Sequence, residues 1–153
     1  MKYIIVPNKD SDVCFKDLPV GEWFITGVNN LYMKIYDILN DDTVEGVYNV
    51  INPIGVLAYK SKDKKVKKCK VELYINETLG EESDRVLATI QSFDIGDVFS
   101  IEGNYFIITN FKSKKNKVYC VDLRTGALSV YPFNTYVIRI PIDKIELRAS
   151  SVF

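Results

Sequence analysis

Short runs of alternating apolar and polar residues, separated by turn residues, recur along the whole chain. Residues 23–26, 31–36 and 98–102 are rich in β-branched and aromatic side chains. A period of two is typical of half-buried strands, and the Gly, Asn, Asp and Pro residues between the runs favour tight turns. The pattern predicts a mainly β protein built from many short strands.

The same pattern returns about seventy residues later, which indicates an internal repeat. Residues 18–24 match residues 93–99 as apolar, spacer, apolar, Gly, acid, apolar, Phe. Residues 47–50 read Val-Tyr-Asn-Val and residues 118–121 read Val-Tyr-Cys-Val. In that register, without a gap, Gly55-Val-Leu falls on Gly126-Ala-Leu. Two blocks in the same order predict two copies of one unit.

Each copy holds enough strands for one small closed sheet. Tyr32 aligns with Tyr105, which places a short gap in the first hairpin of the unit. Four or five short strands per copy is the size of an SH3-like barrel, and closure removes exposed sheet edges. The sequence therefore predicts two tandem SH3-like small β-barrels, with a first repeat at 1–75, a linker at 76–91 and a second repeat at 92–148.

The linker has the pattern of a short helix. Ser83 is a candidate N-cap, acidic residues lie around it, and apolar residues follow at helical spacing. The residues concerned are Glu81, Glu82, Asp84, Val86, Leu87 and Ile90. We expect this helix to connect the two barrels.

The repeated motif resembles short uncharacterised bacteriophage proteins with a line of the form F-x-x-L-x-x-G-D-x-F … N-x-V-x-L-x-x-G. The residues that fit are Phe15, Leu18, Gly21, Phe24, Tyr32 and Lys34 in the first copy, and Phe93, Gly96, Asp97, Phe99, Tyr105, Val121, Leu123 and Gly126 in the second. Departures are Glu22 in place of the Asp, and Cys120 and Asp122 where polar Asn is expected. The resemblance implies a phage protein in the host cytosol and no particular activity.

Composition narrows the function classes. Lys plus Arg equals Asp plus Glu at 20 each, so no whole-protein field attracts nucleic acid, although local patches remain open. His is absent, which removes the commonest general base and metal ligand. The three Cys, at 14, 69 and 120, are far apart and read as reduced thiols of a cytosolic protein.

No motif for catalysis, a cofactor or a metal occurs in the chain. The phosphate-binding and nucleophile motifs G-x-x-x-x-G-K-[ST], G-x-G-x-x-G and G-x-S-x-G are missing, and Asp37, Asp41 and Asp42 do not have EF-hand spacing. No apolar run approaches the ~20 residues of a membrane helix. We expect a protein that is not an enzyme, holds no cofactor or metal and does not engage a membrane.

A lysine run is the sharpest local charge feature. It consists of Lys60, Lys62, Lys64, Lys65, Lys67 and Lys68, followed by Lys70. On a hairpin, alternate lysines would line one face and could contact phosphates. The alternative is a solvated hairpin whose lysines protect a sheet edge from aggregation.

The matching segment of the second copy carries Tyr131, Phe133 and Tyr136 instead of lysines. These aromatics either form a contact patch or base-stacking platform, or they are buried between the two barrels. The tip before the Val-Tyr strand also differs between the copies, with Asp37, Asp41, Asp42 and Glu45 in one and Lys112, Lys114, Lys115 and Lys117 in the other.

Three functions fit these features. The first is a non-enzymatic phage protein that binds a host protein, for example to inhibit a defence system, because diverged surfaces on a duplicated scaffold suit binding. The second is a nucleic-acid-binding module that uses the lysine hairpin. The third is a small-ligand or nucleotide sponge.

Overall fold

The protein is mainly β, as the sequence predicts, and its strands form two sheets. The computed structural model describes residues 2–6, 12–27, 30–39, 47–75, 86–111 and 116–150. Short 3₁₀ turns at Phe15–Asp17, Ile90–Ser92 and Ile142–Lys144 interrupt the strands.

The first sheet has eight strands. They are β1 (Lys2–Val6), β2 (Asp12–Cys14), β3 (Trp23–Thr26), β4 (Asn30–Leu39), β5 (Val47–Ile51), β6 (Leu57–Ala58), β7 (Lys65–Ile75) and the last strand of the chain, β14 (Ile145–Ser150). Neighbouring strands are antiparallel except β1 and β14, which are parallel. We call residues 12–75 the first unit.

The second sheet has six antiparallel strands. They are β8 (Val86–Thr89), β9 (Val98–Ile101), β10 (Asn104–Ile108), β11 (Lys117–Asp122), β12 (Leu128–Pro132) and β13 (Tyr136–Ile140). We call residues 86–140 the second unit.

The two units share one strand order. The first runs β6-β5-β4-β3-β7-β2 and the second runs β12-β11-β10-β9-β13-β8. A 3₁₀ turn follows the first strand of each. Among the described residues the two end strands of each order are not paired with each other, so closure into an SH3-like barrel is not confirmed.

The sequence alignment of the two copies is wrong by one residue in two places. Phe24 pairs with Tyr32 and Phe99 pairs with Phe106, so Tyr32 corresponds to Phe106 rather than Tyr105. A slip of one residue would turn every side chain of the strand to the other face, and burial of Phe106 fixes the register.

The second slip lies in β5 and β11. Met33 pairs with Ile51, and Ile107, which corresponds to Met33, pairs with Val121. Val121 therefore matches Ile51 and not Val50. The turn that follows is one residue longer in the second unit, which restores the match of Gly55 with Gly126.

Strand pairing involves residues on both sides of the expected repeat boundaries. The predicted linker helix is wrong for residues 86–89, which form β8 and pair with β13. The acidic residues at its predicted start, residues 81–84, lie outside the described residues. A strand is favoured here because Ala88 and Ile90 pack into the small core of the second unit. The end of the predicted second repeat, residues 145–148, belongs to β14 and pairs with β7 of the first unit.

Three apolar clusters form the core. The largest lies between the units and combines residues of both sheets, among them Trp23, Met33, Ile107 and Leu147. A smaller cluster lies inside each unit, around Phe24 in the first and around Phe99 in the second. Each sheet therefore buries residues on both of its faces.

The units contact each other through equivalent turns. Asn110 donates its backbone N–H to the Gly55 carbonyl oxygen over 3.1 Å, and Tyr36, which corresponds to Asn110, donates to the Gly126 carbonyl oxygen over 3.4 Å. Gly55 also lies against Gly96. The same exchange of contacts in both directions gives the pair of units an internal twofold relation.

Candidate functional site

The lysine run does not form a single row of side chains. Lys60, Lys62 and Lys64 lie in the segment that precedes β7, whereas the others are on the strand itself. Along β7 the side chains alternate, so Lys65 and Lys67 share one face and Lys68 lies on the other. The run therefore divides into a turn group and a strand group.

The turn group is held in place by backbone hydrogen bonds. Phe15 donates its N–H to the Lys64 carbonyl oxygen over 2.8 Å, and Lys16 donates to that of Lys62 over 3.0 Å. The buried Asn49 side chain accepts the N–H of Lys60 at 2.8 Å and donates to its carbonyl oxygen at 2.9 Å. These bonds fix the segment across the surface of the first unit.

Aromatic rings lie beneath Lys60 of the turn group and beneath Lys34 of β4. Phe24 stacks on Tyr32 with ring centroids 5.8 Å apart, and Phe15 meets Phe24 edge to face at 5.5 Å. The Lys60 Nζ lies 4.4 Å from the Tyr32 ring centroid, and the Lys34 Nζ lies 4.6 Å from that of Phe15. We call these five residues the cation–aromatic cluster.

The charge of the cluster is only partly neutralised. Burial lowers the pKa of the Lys60 ammonium, and the neighbouring Lys64 lowers it further. Burial also lowers the pKa of Lys34, while Asp37 and Asp17 act in the opposite direction. Lys34 additionally donates to the Phe15 carbonyl oxygen over 3.0 Å. Lys60 thus faces a ring and a like charge.

In the second unit, apolar groups occupy the positions that correspond to these lysines. Phe99 stacks on Phe106 at 5.4 Å, as Phe24 does on Tyr32. At the positions of Lys34 and Lys60 stand Ile108 and Tyr131, and the Tyr131 ring lies 5.9 Å from that of Phe106 and 6.0 Å from that of Phe99. Burial raises the pKa of the Tyr131 hydroxyl.

The three aromatics proposed from the sequence lie in different environments. Tyr131 packs on the core of its own unit, rather than between the units. Phe133 is half-buried and lines a shallow 470 Å³ cavity with Gln91, Asn116, Lys117, Pro132 and Asn134. Tyr136 is exposed over 69% of its surface. The lysines and these aromatics lie on different sheets, around different core clusters.

Tyr136 belongs to an exposed apolar surface that sequence reasoning missed. Ile138 follows two residues later on β13, and Leu87 of β8 is its cross-strand partner. Leu87 is 66% exposed and Ile138 is 37% exposed. We call Leu87, Tyr136 and Ile138 the apolar rim. Only the pairing of β8 with β13 could reveal it, because the sequence favoured a helix at Leu87.

The apolar rim continues a buried surface. Alternation along β13 places Tyr136 and Ile138 on the same face as Ile140, which is buried in the core between the units. The rim is thus the part of this face that extends beyond the contact with the first unit.

Asp97 is a buried carboxylate with a structural role. Its side chain is 6% exposed and accepts a hydrogen bond from Arg139 over 2.9 Å. The same oxygen accepts the N–H of Asp94 over 2.8 Å, which closes the turn before β9. Both contacts hold the Asp97 carboxylate in this turn, so it provides no free general base.

A second charged group lies beside a 340 Å³ cavity on β7 and β14. Arg148 donates to Glu146 over 2.6 Å and lies 3.9 Å from the Tyr74 ring centroid, while the Tyr74 hydroxyl donates to Glu72. These four groups are paired with one another.

The remaining chemistry of the described surface is limited. Burial raises the pKa of the Cys69 thiol to about 12 and raises that of Cys120 as well, so neither is a ready nucleophile. Within the described residues there is no cluster of metal-ligating side chains and no helix of the length and apolarity that crossing a membrane requires. Most of the oppositely charged tips, residues 40–46 and 112–115, lie outside the described ranges.

Comparison with known proteins identifies no relative. No family model, no curated protein and no solved structure matches the chain.

Proposed function

We propose that this is a non-enzymatic binding protein whose partner is another protein, docked on the apolar rim of the second unit. The observation that supports it is the exposure of Leu87, Tyr136 and Ile138 side by side at the end of a sheet. Contiguous exposed apolar side chains on an edge favour association. If the resemblance to phage proteins holds, the partner is a host protein in the host cytosol, such as a defence component.

The first unit provides an internal comparison. The positions of Leu87, Tyr136 and Ile138 correspond to Asp12, Lys65 and Lys67, and Asp12 pairs with Lys67 as Leu87 pairs with Ile138. The two rims have the same place in the same strand order, so the scaffold does not dictate an apolar surface. The apolar side chains are therefore specific to the second unit.

The edge position adds a second means of contact. β8 is the last strand in the order of its sheet, with β13 on its other side. A partner that adds an extended segment along β8 would gain main-chain hydrogen bonds, with Leu87 and Ile138 beside it for apolar side chains.

We propose SH3-like units as the finer description of the scaffold, because the strand order places the first and last strands of each unit side by side.

Binding rather than catalysis is supported by the described groups. The buried carboxylate Asp97 is paired with Arg139, and the Cys69 and Cys120 thiols are held protonated by burial. The described surface presents instead the apolar rim and the lysines of the turn group, which suit recognition.

The test transplants the first unit's residues onto the second. We expect the wild-type protein, immobilised, to retain one protein from a nuclease-treated bacterial lysate, and the double variant Tyr136→Lys with Ile138→Lys to lose it at least about tenfold. The matched control is Lys65→Gln with Lys67→Gln, which changes the equivalent rim and should keep the partner.

Circular dichroism and thermal unfolding of both double variants establish that they are folded. Equal retention by wild type and the rim variant, or loss in the control variant alone, would contradict docking at the apolar rim. No retained protein at all would reject protein binding.

A further inference from the structure

The first unit carries a second surface that the apolar rim does not involve. Besides Lys34 and Lys60 of the cation–aromatic cluster, Lys16, Lys62 and Lys64 lie on the two backbone segments that hydrogen-bond to each other there. Lys16 reaches Asp63 at 3.9 Å, with both side chains largely exposed, so this pair is weak and open to exchange. Five lysines thus lie on neighbouring segments of this surface.

We propose that this surface binds the phosphate backbone of nucleic acid, through lysine ammonium groups and without reading bases. The lysines are Lys16, Lys34, Lys60, Lys62 and Lys64. Their ligand class is a chain of phosphodiesters, in which several anionic oxygens can be met at once.

The anchoring of the segment favours binding of a ligand. The Asn49 side chain hydrogen-bonds to both the N–H and the carbonyl oxygen of Lys60. The backbone N–H groups of Phe15 and Lys16 donate to the carbonyl oxygens of Lys64 and Lys62. The backbone under these lysines is therefore ordered before a ligand arrives, which lowers the entropy cost of binding.

The aromatic rings explain why bases are not read. Tyr32 stacks on Phe24 and also carries the Lys60 ammonium, which lies 4.4 Å from its ring centroid. Phe15 packs on Phe24 and carries the Lys34 ammonium. A base cannot stack where an ammonium already lies, so the rings position the cations and the cations contact the ligand.

The second unit shows that the scaffold does not require these charges. The equivalents of Lys16, Lys34, Lys60, Lys62 and Lys64 are Gln91, Ile108, Tyr131, Phe133 and Thr135. The backbone bonds are the same: Ile90 donates to the Thr135 carbonyl oxygen over 2.9 Å and Gln91 to that of Phe133 over 3.1 Å. All five positions are uncharged there, with the local geometry retained. The lysines are therefore a feature of the first unit's surface chemistry.

The experiment measures fluorescence anisotropy of labelled single-stranded DNA of mixed sequence, about 20 nucleotides long, against the full-length protein. The comparison probe is an abasic strand of equal length, which keeps the phosphates and lacks the bases. We expect equal binding of both probes at low salt, and a salt slope of about −0.7 for each phosphate contacted.

The variant Lys16→Gln, Lys62→Gln, Lys64→Thr takes the second unit's residues at two of its positions. It should bind both probes at least about tenfold more weakly and lose about 2 units of salt slope, as three phosphate contacts would predict. The control variant Lys70→Gln, Lys117→Gln, Arg124→Gln removes the same charge from other exposed positions and should bind as wild type does.

Each of four results would overturn the proposal. They are no binding at low salt, a preference of tenfold or more for the strand with bases, equal weakening by the control variant, and displacement of the DNA by a poly-glutamate peptide at matched charge. The last would assign the surface to an acidic protein instead.

Discussion

The two units place different groups over the same stacked pair of rings. In the first unit the Phe24–Tyr32 pair is covered by the ammonium groups of Lys60 and, through Phe15, of Lys34. In the second unit the Phe99–Phe106 pair is covered by the Tyr131 ring, and Ile108 lies buried where Lys34 stands. The core pair is thus kept, while its cover is either charged or apolar.

This difference extends to the rims of the sheets. Lys65 and Lys67 in the first unit stand where Tyr136 and Ile138 stand in the second. The shared strand order explains what both units need for folding, and whatever differs at equivalent exposed positions is free to serve binding. Comparison of the two units therefore separates the residues that the fold requires from those that it leaves free to vary.

The largest expected effect concerns the turns through which the units meet. Gly55 has φ +84°, and a Cβ there would collide with the Ile108 carbonyl oxygen and lie 2.7 Å from the Gly96 nitrogen. We expect Gly55→Ala to cost about 3–5 kcal/mol, from the left-handed backbone and the overlap together. Urea unfolding followed by Trp23 fluorescence measures it.

Gly126 and Gly103 are the references for that measurement. At the equivalent Gly126 the nearest atom to a Cβ is the Lys34 carbonyl oxygen at 2.8 Å, so the cost should be smaller. Gly103 has φ +80° with nothing within 4 Å, and its replacement by Ala should cost only about 1 kcal/mol. Equal costs at all three positions would refute the tight contact between units.

The next effect compares Tyr131 with Lys60, the residues that lie over the two stacked ring pairs. Tyr131→Ala should cost about 2–3 kcal/mol, because it removes a half-buried ring that contacts Phe99 and Phe106. Lys60→Ala should change the free energy of unfolding by less than about 1 kcal/mol, since loss of the cation–ring contact is offset by relief of the desolvated ammonium.

Both values come from urea unfolding at neutral pH. A large loss for Lys60→Ala would mean that the lysine stabilises the fold and would weaken its assignment to a ligand. A negligible loss for Tyr131→Ala would remove the asymmetry between the two covers.

The smallest effect is a pH dependence of the stability that Lys60 contributes to the folded protein. The pKa of Lys60 is lowered in the folded protein from its ordinary value of 10.5, so just below that value the unfolded chain binds more protons than the folded one. The stability of wild type relative to Lys60→Met should therefore rise with pH in this alkaline window and stay constant near neutrality. Paired unfolding midpoints at about pH 7 and about pH 10 test it, and a fall at alkaline pH would contradict the sign.

Pattern reasoning found the strands and the recurrence of the unit, but placed one segment wrongly. Residues 86–90 have helical spacing and an acidic start, yet β8 forms because Ala88 and Ile90 fit the second unit's small core and the strand pairs with β13. Short apolar segments fit both periods, so tertiary packing decides between them. The apolar rim was missed for the same reason.

The alignment of the copies shows a second limit. Matching letters favoured Val50 with Val121, whereas pairing with β4 and β10 matches Ile51 with Val121. Both choices match Val121 with a β-branched residue, and only the face that each side chain presents to the core distinguishes them. The lysine surface was predicted as a row on a hairpin, but Lys60, Lys62 and Lys64 belong to a turn segment fixed by Phe15 and Lys16.

The sequence by itself determined the mainly β composition, the turn positions and the presence of two related segments, because these depend on local periodicity and turn chemistry. Only the tertiary structure decided the register, the pairing of β14 with β7 and the contact of Gly55 with Gly96. Those features depend on residues far apart in the chain, whose contacts form only when the two sheets bury a common core.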